Sequence, residues 1–285
     1  MATPAQARID VLKTYKLFIG GAFPRSESGR VYAVKDSKGN HLANPSLASR
    51  KDLRDAVVAA RSAFSGWSRA TAYNRGQILY RMAEILEGRT EQLVAEIVAL
   101  EGVTPRAASL HVQESVDLLV WHAGWSDKIS TIAGSTNPVS GPYYNFSTPE
   151  PIGVVAVFAA AKPSLLNLVG AIASVITSGN TAVVVASEKF PLSAITFAEI
   201  LATSDLPGGV VNILTGSSTE LAPWAASHMD IDAIDASGLT AKQLKEAQLA
   251  GAANLKRIRV FESVKSPQRL LEFMETKTVW HPIGI

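Results

Sequence analysis

Residues 154–186, VVAVFAAAKPSLLNLVGAIASVITSGNTAVVVA, decide the fold class. The stretch begins and ends with short valine-rich apolar runs, Val154–Ala159 and Ala182–Ala186. A segment with helical character begins near Ser164 and fills the space between them. Runs that are apolar throughout indicate strands buried on both faces, and a helical connection between two such strands is typical of a parallel pair. The stretch therefore predicts a strand–helix–strand unit.

The same alternation continues toward the C-terminus. Further strands are predicted at Val210–Leu214, Ile231–Ala236 and Ile258–Phe261, with helices that begin near Pro191, Ser218 and Thr240. Alternating strands and helices predict the α/β class, here a Rossmann-like, doubly wound parallel sheet with helices on both faces. In such a sheet, ligands bind at the carboxyl ends of the strands.

Residues 1–133 predict two hairpins followed by a layer of helices. Gly20-Gly21 and Lys38-Gly39-Asn40 are turn signals between short β-like runs. Four helices are then predicted from their N-terminal signals, each followed by apolar residues at helical spacing. These signals are Ser49, Thr71, Thr90 and Thr104, the last followed by Pro105.

Residues 134–150 are rich in Gly, Pro, Ser and Asn and contain three aromatic residues, Tyr143, Tyr144 and Phe146. A linker is one interpretation. Aromatic residues that alternate with polar ones favour the other, a protruding two-stranded arm.

The composition excludes several classes of partner. The chain has 285 residues with 27 Lys and Arg against 25 Asp and Glu, a net charge of +2. Without a basic run or stripe, nucleic acid is not expected to bind. The longest apolar stretches are interrupted at Lys162 and Pro163, so no membrane span is predicted. The N-terminus has no signal-peptide pattern, and we expect a cytoplasmic protein.

The absence of cysteine limits the chemistry most strongly. A chain with no Cys has no disulfide, no thiolate metal ligand and no thiol nucleophile. The five histidines lack the spacing of metal ligands, and no metal site is predicted.

Several motifs together resemble the NAD(P)-dependent aldehyde dehydrogenase superfamily, in order from about Tyr15 to Pro267. They are LFIGGAF, AARSAFSGW, RGQILYRMAEIL, PIGVVAVF, SGNTAVVVASEKFPLSA, DLPGGVVNILTG and NLKR with KSP. A separate segment, LLEFMETKTVW, is similar to the family's C-terminal strand, which pairs with the catalytic domain of a neighbouring subunit. The resemblance implies a cofactor-type domain at 151–267, an oligomerisation strand at 268–285 and no catalytic domain between them.

The resemblance also implies that the family's catalytic groups are missing. Its cysteine has no counterpart, Lys162 stands at the position of the oxyanion-binding asparagine, and Phe261 at that of the general-base glutamate. Glu262 is one residue out of register, which turns a strand side chain to the opposite face. Lys162 is either a Schiff-base nucleophile or, as we favour, a solvated lysine at a helix start.

The cofactor-binding positions are partly kept. Glu188 matches the family's ribose-binding glutamate, whereas its lysine partner is replaced by Val185. Ser237 and Gly238 lie at the position of the phosphate-binding turn. If NAD or NADP binds, the resemblance implies contacts with Glu188, Ser237 and Gly238.

Three functional hypotheses follow. The first is a non-catalytic subunit that assembles with a full-length aldehyde dehydrogenase through the arm and the C-terminal strand, using Tyr143, Tyr144, Phe146, Lys277, Thr278, Val279 and Trp280. The second is an NAD(P)-binding oxidoreductase that acts on aldehydes without a cysteine. The third is a decayed product without function.

Overall fold

A computed structural model describes residues 12–284. The strands, in chain order, are β1 (Val34–Lys35), β2 (His41–Ala43), β3 (Ser135–Asn137), β4 (Tyr143–Pro151), β5 (Val154–Phe158), β6 (Thr181–Val185), β7 (Val211–Leu214), β8 (Ala233–Asp235), β9 (Arg257–Arg259) and β10 (Met274–Pro282). The helices are α1 (Arg50–Arg69), α2 (Ala72–Glu87), α3 (Thr90–Glu101), α4 (Pro105–Trp125), α5 (Ile129–Ala133), α6 (Ser164–Thr177), α7 (Leu192–Leu201), α8 (Ser218–Ser227), α9 (Ala241–Gly251) and α10 (Pro267–Leu271).

The predicted parallel sheet is confirmed. Five parallel strands lie in the order β7-β6-β5-β8-β9. Successive side chains of a strand point to opposite faces, so Val155 and Val157 of β5 enter one core and Val154, Ala156 and Phe158 the other. α2, α4, α6 and α7 pack on the first face, and α1, α8 and α9 on the second. Helices on both faces make the fold doubly wound, as predicted.

The N-terminal hairpin extends this sheet. Gly20 and Gly21 have φ values of +63° and +83°, a left-handed conformation that glycine adopts without a steric penalty. Ile19 and Ala22 exchange backbone hydrogen bonds across this turn. Phe18 pairs with Ile213 at the β7 edge, so the hairpin covers that edge of the sheet.

The helix starts agree with the sequence except at α3. Ser49, Thr71 and Thr104 are the N-caps of α1, α2 and α4, and each side chain accepts a backbone N–H bond. For α3 the N-cap is Arg89, and Thr90 is the first helical residue. The Thr90 hydroxyl donates to the carbonyl of Glu87, which ties it to the preceding turn instead.

The last two sheet strands are shorter than predicted. β8 occupies only the centre of Ile231–Ala236, and β9 ends at Arg259 instead of Phe261. The backbone N–H of Phe261 donates to the Ser237 hydroxyl, 3.0 Å away, instead of joining the ladder. A side-chain acceptor thus draws the chain out of the sheet.

The predicted arm is part of a separate sheet of three strands, in the order β10-β4-β3. β10 pairs with β4 over nine residues, from Met274 opposite Pro151 to Pro282 opposite Tyr143. One edge of the tail strand is thus paired within the chain, and its pairing with a neighbouring subunit stays a prediction. The connection through α10 is short enough to bring β10 back to its own arm.

No helix within residues 12–284 combines the length and the apolar character that crossing a membrane requires.

Candidate functional site

The carboxyl ends of β5, β8 and β9 surround a cavity of about 230 Å³, here called the edge cavity. It brings together four residues that the sequence singled out, namely Lys162, Ser237, Phe261 and Glu262. Its other lining residues are Phe158, Ala159, Ala160, Asn167, Ala171, Val264 and Arg269. The expected location of the site, at the strand ends, thus corresponds to a real opening.

Glu188 lies in a neighbouring opening of about 780 Å³, here called the hairpin cleft. The β1–β2 hairpin, the end of α3 and the loop after β6 form its walls. Lys162 lines both openings, so it stands between Glu188 on one side and Ser237 on the other. The predicted cofactor residues are therefore divided between two openings.

Lys162 has the surroundings of a solvated lysine. Its side chain is exposed, its Nζ donates to the carbonyl of Glu101 at 2.8 Å, and it lies 4.8 Å from the centre of the Phe190 ring. A Schiff-base lysine needs burial or a neighbouring cation to favour its neutral form. The exposure of Lys162 supports the interpretation that we favoured from the sequence.

Neither residue at or next to the general-base position is a base held inside the cavity. The side chain of Phe261 is apolar, and its ring lies 5.7 Å from that of Phe273. Glu262 is exposed at the rim, beyond the end of β9. Glu262 is therefore not a base fixed inside the site.

The polar groups of Ser237 and Gly238 are used inside the chain. The Ser237 hydroxyl donates to Oδ1 of Asp235 at 2.6 Å, and its backbone N–H bonds the same oxygen. The N–H of Gly238 donates to the carbonyl of Phe158 at 2.8 Å. A Cβ on Gly238 would lie 2.6 Å from that oxygen, so the glycine allows the backbone to approach β5.

The start of α9 is also satisfied internally. Thr240 and Gln243 form a capping box, in which each side chain bonds the other's backbone N–H. The Gln243 amide then reaches across to the hydroxyls of Ser218 and Thr219 on α8. The backbone donors of Ser237, Gly238 and Thr240 at this turn thus already have acceptors within the chain, which opposes their use for a pyrophosphate in this conformation.

The ribose-binding position differs from this turn. Glu188 is exposed in the hairpin cleft, whereas Val185, at the position of the family's lysine, is buried in β6 and supplies no cation. Burial raises the pKa of the Tyr32 side chain, and the negative charge of Glu188 raises it further. The Tyr32 hydroxyl has no hydrogen-bond partner among the described residues. Of the three residues predicted to contact a cofactor, Glu188 is the one whose side chain is exposed in an opening.

Sequence reasoning missed the strongest polar interaction at the edge cavity. Arg269, from the short connection to β10, forms a buried ion pair with Asp235 at the end of β8. Its guanidinium also stacks on the Phe261 ring, 4.7 Å from the ring centre. The two residues are 34 positions apart, and neither lies in a motif that the resemblance assigns. No signal in the sequence pairs them.

His122 lies buried beside this pair. Burial, with the nearby Arg269 cation as second cause, lowers the pKa of His122 from 6.5 to about 3. Its Nδ1 lies 3.4 Å from the Thr177 hydroxyl, and its Nε2 has no partner among residues 12–284. The imidazole is therefore neutral at neutral pH.

The residues predicted for assembly lie together on the small sheet. Trp280 meets Tyr143 edge to face, with ring centres 5.8 Å apart, and Tyr144 lies 5.6 Å from Phe146. Three of these four rings are exposed, Trp280 by 58%. Lys277 pairs with Glu150 on β4 at 3.3 Å. Thr278 bonds the Ser147 hydroxyl and Val279 lies opposite Phe146.

The part of the chain that the structure describes contains no group of three or more acidic or histidine side chains placed to hold a metal ion.

Comparison with known proteins settles the family. The model of the aldehyde dehydrogenase family matches residues 23–280. The chain belongs to the aldehyde dehydrogenase family. Mouse (Mus musculus) retinal dehydrogenase 2 is 37% identical over 264 residues, which cover 90% of this chain and 50% of that protein. Mitochondrial 10-formyltetrahydrofolate dehydrogenase of the same organism is 34% identical over 262 residues, 89% of this chain and 28% of that protein.

Solved aldehyde dehydrogenase structures agree with this assignment. The NAD⁺ complex of aldehyde dehydrogenase from Bacillus cereus superposes with a TM-score of 0.81 at 28% identity, covering 87% of this chain and 50% of that one. PnpE in complex with nicotinamide adenine dinucleotide has the same score, identity and coverage. The chain thus spans about half the length of these relatives, and it lacks the cysteine that the family resemblance requires for catalysis.

Proposed function

We propose that this chain is a non-catalytic member of the aldehyde dehydrogenase family that assembles as a subunit with a complete, cysteine-containing aldehyde dehydrogenase. One contrast carries the proposal. The edge cavity has no cysteine, has Lys162 at the asparagine position and Phe261 at the general-base position, whereas β10 of the small sheet is paired over its full nine residues. A chain that keeps its assembly element and lacks its chemistry is suited to a structural role.

The small sheet supports an interaction with another chain. Within residues 12–284, β10 is paired only with β4, so its outer edge has unpaired backbone groups. Proteins usually keep such edges short or covered, because a long exposed edge accepts strands from other chains. Tyr143, Tyr144 and Trp280 are also exposed beside it. Exposed aromatic residues are common at protein interfaces.

The family resemblance favours a complete subunit as the partner. It implies that the tail strand meets a catalytic domain of a neighbour, and this chain spans only about half of its relatives. A second copy would contribute the same half. The hetero-oligomer is therefore the assembly that we propose.

NAD(P)-dependent oxidation of aldehydes by this chain alone is the second candidate. Glu188 in the hairpin cleft and the NAD⁺ complexes of its structural neighbours favour it. The engaged groups of Ser237 and Gly238 oppose it. Calorimetric titration with NAD⁺ and NADP⁺ tests binding, and an absorbance assay at 340 nm with a panel of aldehydes tests turnover.

We expect no reduced cofactor from the purified chain. Aldehyde-dependent NADH or NADPH formation would contradict the non-catalytic proposal. For the assembly proposal, the tagged chain is purified gently from its source cells and the co-purifying proteins are identified by mass. A cysteine-containing aldehyde dehydrogenase in stoichiometric amount is the expected result, and recovery of the chain alone or with itself would contradict it.

A further inference from the structure

The edge cavity has the size of a small-molecule site. Its volume of about 230 Å³ is below the roughly 300–1,000 Å³ of pockets that hold drug-sized ligands. A bound water occupies about 30 Å³, so there is space for a molecule of several heavy atoms. A dinucleotide is far too large for it.

Arg269 supplies a buried donor at this cavity. The residue is 3% exposed, Nη2 binds Asp235, and Nη1 donates to the carbonyl of Ser263 at 3.3 Å. Its Nε is buried and has no partner among the described residues. Leaving a buried charged donor unsatisfied costs free energy, which an acceptor atom within the cavity would recover. The side chain is held in place by its other bonds and by its stacking on Phe261.

Lys162 adds a second cation to the lining of the cavity. Among residues 12–284 its ammonium group makes one hydrogen bond, to the carbonyl of Glu101, and an ammonium has three donors. The half-buried Asn167, in the first turn of α6, contributes a side-chain amide to the same lining. Apolar side chains, among them Phe158, Ala171 and Val264, form one part of the remaining lining, and Ser237 and Glu262 are its polar members.

We propose that the edge cavity binds a short aliphatic carboxylate. The carboxylate accepts from Arg269, Asn167 and Lys162, and the aliphatic tail lies against the apolar wall. Binding is non-covalent and no bond is made or broken. The site is independent of the assembly role, because Arg269 enters it from the connection before β10 and the small sheet lies outside the cavity.

The charges around the cavity make the proposal testable. Asp235 neutralises Arg269, so Lys162 provides the net attraction for an anion. Glu262, exposed at the rim, repels an anion. Replacing either rim residue changes the charge without entering the core. The two substitutions are expected to act in opposite directions.

The probe is sodium butyrate, titrated into the full-length chain by calorimetry at constant ionic strength. Butyramide, nearly the same shape but neutral, is the matched ligand. We expect the native chain to bind butyrate saturably. K162Q should bind it about tenfold more weakly, because a charge-assisted hydrogen bond is lost, and E262Q should bind it more tightly, because a negative charge is removed. Lys189 also lies near the Phe190 ring but does not line the cavity, so K189Q is the control and should bind like the native chain.

Circular dichroism and thermal unfolding verify that each variant is folded before it is titrated. No saturable binding to the native chain would overturn the proposal. Equal affinity for butyramide, or unchanged butyrate affinity in folded K162Q, would overturn it as well. All three substituted residues are exposed, which keeps the comparison free of folding defects.

Discussion

Nη2 of Arg269 lies 2.5 Å from Oδ2 of Asp235, and the two side chains are only 4% and 0% exposed. The pair joins the carboxyl end of β8 to the connection that precedes β10. Phe273, four residues after Arg269, is fully buried and its carbonyl accepts from Asn180. The connection before β10 is thus fixed to the region of the parallel sheet at two points. These two contacts help to hold the small sheet against the rest of the fold.

Removing Arg269 should be severe. R269M leaves the Asp235 carboxylate buried without its cation, which typically costs about 3–5 kcal/mol. Urea unfolding followed by circular dichroism measures the change. The double variant R269M/D235L removes both charges, and we expect it to recover a large part of the lost stability. If the unfolding free energy of R269M lies within about 1 kcal/mol of that of the native chain, the ion pair does not anchor the connection.

His122 should make the chain sensitive to acid. Its pKa is lowered to about 3 in the folded state against 6.5 unfolded, so the unfolded state binds more protons between these values. Above pH 6.5 the titration of His122 takes nothing from the unfolding free energy, and as the pH falls from 6.5 toward 3 it lowers that free energy progressively. At pH 5.0 the loss is about 2 kcal/mol relative to pH 7.5.

The variant H122F, which keeps a ring but cannot titrate, isolates this effect. On going from pH 7.5 to pH 5.0, the native chain should lose about 2 kcal/mol more unfolding free energy than H122F does. The exposed His41 provides the control H41Q, for which no such shift is expected. An identical pH dependence of H122F and the native chain would mean that His122 is not held neutral by burial.

Gly238 should be intolerant of a side chain for a structural reason. A Cβ would lie 2.6 Å from the carbonyl oxygen of Phe158, so G238A must displace the backbone at the end of β8. We expect a loss of about 1–3 kcal/mol, as for other substitutions that overpack a core. G124A in α4 is the matched control, because a Cβ there meets no atom within 4 Å. G124A should stabilise by up to about 1 kcal/mol. If G238A has the same unfolding free energy as the native chain, the backbone at Gly238 does not approach the Phe158 carbonyl closely enough to exclude a side chain.

Trp280 should matter more for assembly than for stability. Its ring is 58% exposed and contacts Tyr143 at one edge, so W280A should cost no more than about 1 kcal/mol of unfolding free energy. Tyr73, exposed on α2 far from the small sheet in sequence, provides the control Y73A. Co-purification of the proposed partner should decrease for W280A and remain for Y73A. If W280A and Y73A recover the partner in equal amounts, Trp280 does not belong to the interface.

The sequence predicted the parallel sheet well because its strands are short apolar runs that local pattern reveals. Val154–Ala159 and Ala182–Ala186 match β5 and β6 to within one residue at either end. The strand ends of β8 and β9 were placed less well. Their limits depend on the Ser237 hydroxyl, which bonds Phe261 across 24 positions of sequence. A local pattern carries no information about that contact.

The sequence predicted a region in which the structure has a cavity, but it named only some of the residues that line it. The rule that ligands bind at strand ends places Lys162, Ser237 and Phe261 around one cavity. The same rule cannot show that Asp235 already engages the Ser237 hydroxyl. Arg269 was missed because a buried ion pair joins two segments that are adjacent only after folding. Alignment to a family supplies positions, and three-dimensional structure supplies the partners of each position.

Native mass spectrometry of the assembly from source cells tests the central claim most directly. The native chain and the folded variant W280A are purified in parallel under the same mild conditions, and the mass of each intact complex is measured. We predict a complex that contains this chain of 30.3 kDa and a cysteine-containing aldehyde dehydrogenase subunit in fixed ratio, depleted with W280A. A native chain that is found only as a monomer, or only with copies of itself, would contradict the account.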